Sequence, residues 1–199
     1  MGEAFSDLVD RASVRRRVEL AFAERPYPGD ERIAESDSRY ESYEGHAVTA
    51  FHRGKTWSEI TLRHLVDDYA GDPSACLAFM TPKGWRYYLP AYLLIALQPD
   101  EADVIADAVV GTLTHPRART ASFTRVAIDL GLEPETVLAA HTKRFVERIS
   151  GLTVAEHDAV RAVLHWLAAW EDAKDDRFAA AVPNSARAAL DSWRYLASS

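Results

Sequence analysis

The sequence predicts a predominantly α-helical protein, a single-domain bundle of about seven or eight helices. At most a short β-hairpin is expected, near residues 46–56. Three observations carry that expectation. Apolar residues recur at i, i+3, i+4 and i+7 in most segments. Helix-capping signals stand at the head of several of those segments. Strand-like alternation is confined to one weak stretch.

The elements follow in chain order. Ser13 can cap a first helix whose Val14, Val18, Ala21 and Phe22 share one face. "RPYPGD" stops it with two prolines and a glycine. "DERIAESDSRYESYEGH" is rich in acids and reads as a solvated helix or an ordered loop. "HAVTAFHRGKTW" alternates weakly around Gly54 and is the one place a hairpin is expected. Thr56 and Glu59 form a capping box, which starts a helix through Ile60, Leu62, Leu65, Val66 and Tyr69. "SACLAFM" is too short for periodicity to separate helix from strand.

Thr81 and Pro82 begin the most hydrophobic segment, with a cap residue followed by proline at the first helical position. Its apolar residues surround the axis, as in a central buried helix. Pro90 cannot donate to the carbonyl of Arg86, so a kink or a break is expected at Leu89–Pro90. "PDEAD" caps the next helix, which carries Ile105, Ala108, Val109 and Thr112. "THPRARTAS" reads as a loop before helices near residues 123–130 and 134–149. Thr153 and Glu156 repeat the capping box ahead of a wide apolar stripe from Val160 to Trp170. An acidic hinge, "EDAKDD", then leads to a last helix. Residues 173–199 are expected to be a peripheral C-terminal extension.

Composition narrows the function classes. Apolar residues make up 48% and charged residues 27%, ordinary globular usage that argues against a disordered or fibrous chain. A net charge of −7 argues against nucleic acid as a partner, because that binding begins with cations neutralising phosphates. It suits a basic protein instead. The longest apolar run, Leu89 to Leu97, is far short of the roughly 20 residues that span a bilayer. No signal-peptide pattern opens the chain, so a cytoplasmic protein with no membrane partner is expected. The single cysteine, Cys76, lies in an apolar run and reads as a small buried hydrophobe.

The chain contains no nucleophile elbow, phosphate-binding loop, HExxH or paired CxxC. That leans away from an enzyme, and no catalytic residue, cofactor or metal is expected. The histidines are scattered; only His46, His52 and His64 are candidates to converge on a metal. The loop carrying Arg117, Arg119 and Arg125 is the one locally basic stretch and a candidate dock for an anion.

"FMTPKGWRYYLPAYLL" resembles the signature of a family of uncharacterised, mostly bacterial proteins. Trp85, Tyr87, Tyr88, Leu89, Pro90 and Tyr92 match its central block, with Trp57 upstream. "AFAERPYPGD" and "LTVAEHDAVRAVLHWLA" are similar to flanking blocks, so the resemblance covers roughly Val18 to Trp170 and leaves out the last helix. It implies a single-domain unit and assigns no activity to any residue.

Two function classes remain. The first is a non-catalytic protein-binding module, in one version an antidote or immunity-like protein that masks a basic partner. Its grip would come from Glu35, Asp37, Tyr40, Glu41 and Tyr43, where carboxylates steer and tyrosines supply contact area. The second is an enzyme or small-anion binder with a pocket around Arg86, Tyr88 and Tyr92, near Trp57.

Overall fold

The computed structural model describes residues 10–35, 43–173 and 185–196, the last three without their side chains. Ten α-helices run through them: α1 (Arg11–Phe22), α2 (Tyr43–His52), α3 (Leu62–Asp67), α4 (Cys76–Phe79), α5 (Pro82–Ala96), α6 (Asp103–Leu113), α7 (Thr120–Asp129), α8 (Pro134–Ile149), α9 (Val154–Ala173) and α10 (Ser185–Leu196). Eight of them have seven or more residues, and short 3-10 turns cover Asp30–Arg32, Trp57–Glu59 and Pro116–Arg119. Among the described residues the β structure is one isolated bridge, Ala34 to Met80. The architecture is an all-α bundle.

Helix α5 is the centre of that bundle. Eleven of its fifteen residues are buried. It packs against α1, α6, α8 and the 57–59 turn. Thr81 caps it, its Oγ1 accepting from the Gly84 N–H at 3.0 Å. Of the kink or break expected at Leu89–Pro90, the break does not occur; α5 is continuous through the proline. An interior proline costs a helix about 3 kcal/mol. Here neighbours on every side hold the helix, so the lost hydrogen bond does not decide its course. Gly84 lets the chain at Ile33 cross α5 at close range, since a Cβ there would lie 2.1 Å from the Ile33 carbonyl oxygen.

The hairpin near residues 46–56 does not form either. Helix α2 occupies most of that stretch, and Gly45, Val48, Phe51 and His52 face inward at helical spacing. Gly54, at φ +69°, is the left-handed residue just past a helix end, not a hairpin turn. The Thr56–Glu59 box forms, with Thr56 N–H donating to Glu59 at 2.6 Å. It starts only the 3-10 turn. Ile60 is extended and buried, and α3 begins on its own cap, Thr61, which accepts from the His64 N–H at 3.3 Å. The box before α9 forms as expected, with Thr153 N–H donating to Glu156 at 2.6 Å and Glu156 N–H to Thr153 Oγ1 at 3.3 Å. The described part of the expected peripheral extension enters the core. Ala186, Ala189, Leu190 and Trp193 of α10 are buried against α6 and α9, and the Trp193 indole donates to the Leu113 carbonyl at 2.7 Å. "THPRARTAS" is a 3-10 turn and the first turn of α7, not an open loop.

Candidate functional site

The four residues expected around one pocket do not share one: Tyr88 and Tyr92 both meet His52, whereas Arg86 and Trp57 lie elsewhere. Tyr88 is fully buried and donates to the carbonyls of His52, at 2.7 Å, and Lys55, at 3.0 Å, closing the end of α2. The Tyr92 hydroxyl meets His52 Nε2 at 3.2 Å. Arg86 reaches the opposite way, to the end of α8, donating to the carbonyls of Glu147 at 2.5 Å and Arg148 at 3.4 Å. Among the described residues it forms no ion pair with a carboxylate; it is a C-terminal cap of α8. Trp57 is half-buried and lines a separate groove with Leu62, Val66 and Leu94.

Of the acidic set, Asp37, Tyr40 and Glu41 lie outside the described residues. Glu35 pairs with Arg144 at 2.6 Å, and Tyr43 is exposed at the start of α2. His46, His52 and His64 do not assemble. His52 is fully buried, its Nδ1 bonded to the Val48 carbonyl at 2.8 Å, whereas His46 and His64 are exposed. Among the described residues no group of three or more His, Cys, Asp or Glu is arranged to hold a metal ion. Cys76 is fully buried, and burial pushes its thiol up to about 11.

A different constellation comes together on α8. His141, Arg144, Phe145 and Arg148 stand at i, i+3, i+4 and i+7, hence on one face. That face borders a cleft of about 440 Å³. Helix α6 supplies Val104, Ala108 and Gly111 to the opposite wall, and the 116–119 turn and α7 supply Pro116, Arg119 and Phe123. The Phe123 and His141 ring centres lie 4.4 Å apart, and the Arg119 guanidinium sits 5.8 Å from the centre of the same Phe123 ring. Asp107 is the acid in the lining.

Arg148 is the unusual member. It is only 6% exposed. One terminal nitrogen donates to three carbonyls, Leu77 at 2.8 Å, Met80 at 3.0 Å and Ala78 at 3.1 Å. It thereby caps α4 as Arg86 caps α8. Its Nε has no hydrogen-bond partner. Burial and the neighbouring Arg144 push its guanidinium down to about 9. An arginine moved that far is a cation short of compensating charge. His141 is lowered too, first by burial and then by Arg144, Arg148 and Arg119. Its imidazole is therefore neutral at neutral pH and is available as donor or acceptor.

Arginines and a neutral imidazole around a partly apolar cleft can hold an anion. Arg119 belongs to the basic loop expected to dock an anion, whereas the α8 face is not among the sequence expectations. The signal was present as "HTKRFVER", three cationic or polar positions at helical spacing on a helix with Phe145 in the same stripe.

No helix among the described residues is long and apolar enough to cross a membrane. No curated protein and no solved structure matches the chain. A family of unknown function (DUF6714) does match, over residues 10–195, and the match takes in the last helix that the sequence resemblance left out. The chain belongs to that family.

Proposed function

We propose that the protein binds a small anionic ligand in the cleft between α6, α7 and α8. Arg148 carries the reading: a buried guanidinium beside the cleft, over the Trp85 ring, whose hydrogen-bond acceptors among the described residues are carbonyls, with the Glu35 carboxylate acting on it only through space. Carbonyl dipoles compensate such a charge only in part. An anion in the cleft would complete the compensation, with Arg119 and Arg144 as further donors and Phe123 as an apolar wall. The cleft has the size and mixed lining of ordinary small-ligand sites. The expected test is thermal denaturation with inorganic phosphate, citrate and benzoate. At least one should raise the melting temperature of the wild-type protein. Arg119→Ala, at an exposed position, should weaken that anion roughly tenfold, since a charge-assisted hydrogen bond contributes about 1.5 kcal/mol or more. Absence of any shift with all three anions would overturn the reading.

A second reading is a protein-binding module for a basic partner, in the antidote-like version without catalysis. The exposed Tyr43, beside Glu44 at the head of α2, supports it. Charge reversal at Glu35, Asp37 and Glu41 should then abolish capture of a basic partner in a pull-down, and unchanged capture would sink it.

A further inference from the structure

We infer that Glu35 holds the place of the ligand's own carboxylate on Arg144, so that the cleft takes an amphipathic monocarboxylate that displaces it. This rests on the anion-binding reading. The Glu35 carboxylate accepts from Arg144 at 2.6 Å, at the edge of the cluster that lines the cleft. Its position is set by the main chain. Glu35 N–H donates to the Phe79 carbonyl at 3.1 Å, Ala34 bridges to Met80, and Thr81 N–H donates to the Ile33 carbonyl at 3.0 Å. The backbone thus delivers a carboxylate to the one cleft arginine that accepts an ion pair among the described residues.

The pair is replaceable. Both side chains are about one-third or more exposed, at 35% and 40%. A half-exposed pair of this kind shifts an equilibrium by no more than about fivefold. Arg144 keeps its other terminal nitrogen on the Ala78 carbonyl at 3.1 Å, so the guanidinium stays in place when the carboxylate leaves. The ligand's head would accept from the edge that Glu35 vacates and would take over the charge that Glu35 now contributes to the field at Arg148.

The rest of the lining sets the body of the ligand. Val104, Ala108, Pro116, Phe123 and Phe145 form an apolar wall. Val104 is 61% exposed, so covering it removes apolar surface from water. Asp107 stands in the same lining, and its charge disfavours a second anionic group at that wall. One carboxylate with an apolar body is the complement.

The test is titration calorimetry with benzoate, inorganic phosphate and uncharged benzyl alcohol. Wild type, Glu35→Gln and Glu35→Asp are compared, each with its fold checked by circular dichroism. Benzoate should bind all three proteins. Both variants should bind it about three- to fivefold more tightly than wild type, and benzyl alcohol should not bind. Glu35→Asp keeps the charge but withdraws it from Arg144. Tightening in Glu35→Gln alone would mean a long-range charge effect and would overturn the exchange. Phosphate binding without benzoate binding would overturn the ligand class and leave the anion-binding reading standing. Binding of neither anion to any of the three proteins would overturn both.

Discussion

His52 couples the stability of the fold to pH. Its imidazole is fully buried, with Nδ1 donating to the Val48 carbonyl at 2.8 Å and Nε2 accepting from the Tyr92 hydroxyl at 3.2 Å. Burial, with a smaller contribution from Lys55, lowers it from the ordinary 6.5 to about 4 against the raising effect of the Val48 bond. The sign follows from linkage. Between the two values the unfolded chain takes up a proton that the folded chain refuses, so falling pH favours unfolding. The stabilisation is complete above about pH 6.5 and is lost progressively down to about pH 4. At about 1.4 kcal/mol per pH unit the interval is worth about 3 kcal/mol. The perturbation is His52→Gln, which keeps hydrogen-bonding capacity and cannot titrate. Denaturant unfolding of both proteins at about pH 7, 6, 5 and 4.5 measures the difference. Wild type should lose about 2.5 kcal/mol more than the variant across that range, because carboxylate contributions common to both cancel. The His52 ring resonances should not titrate above about pH 5. Parallel pH profiles, or a His52 titration near its ordinary value, would refute the reasoning.

Other perturbations test the contacts that hold the bundle. Arg86→Ala should cost about 1–2 kcal/mol through the uncapped end of α8 and leave anion binding intact; a loss of anion binding at full stability would show the cap assignment to be wrong. Gly84→Ala should destabilise by about 1–3 kcal/mol in urea, although alanine is the better helix former, because a Cβ meets the Ile33 backbone and not a movable side chain. An unchanged midpoint would show that the Ile33 crossing yields freely. Arg25→Ala should cost about 3 kcal/mol, since it removes the bonded counter-charge of the Glu156 carboxylate, 2% exposed and held by Arg25 Nε at 2.7 Å, and leaves it only the Thr153 N–H and the more distant Arg86 charge. Glu156→Gln with Arg25→Ala should recover part of that loss, and a double variant no better than the single would contradict the buried-charge account.

Local rules were legible at several places where both partners lie within one turn. The Thr81–Pro82 start, the Thr153–Glu156 box and the inward face of α9 all follow from neighbours three or four residues apart. The same rules misled where a distant contact outweighed them. Weak alternation at residues 46–56 suggested strands, but the helical spacing of Val48, Phe51 and His52 matched the surface presented by α4 and α5. Pro90 suggested a kink or a break, and α5 runs on through it as a largely buried helix.

The sequence alone determined the all-α class, the starts of α5, α8 and α9 and the burial of the Trp85–Leu97 segment, whereas α1 starts on Asp10 and not on Ser13. Those depend on periodicity and on caps, which are satisfied locally. Only the tertiary structure decided which arginine does what. Arg86 finds its acceptor 61 residues away, and Arg148 finds its carbonyls about 70 residues away. An arginine offers several donors and no fixed preference among carbonyls, carboxylates and ligands. Its role is therefore set by which helix end or cleft the fold brings within about 3 Å. The arginine chosen from its aromatic neighbours caps a helix, and those on α8 border the cleft.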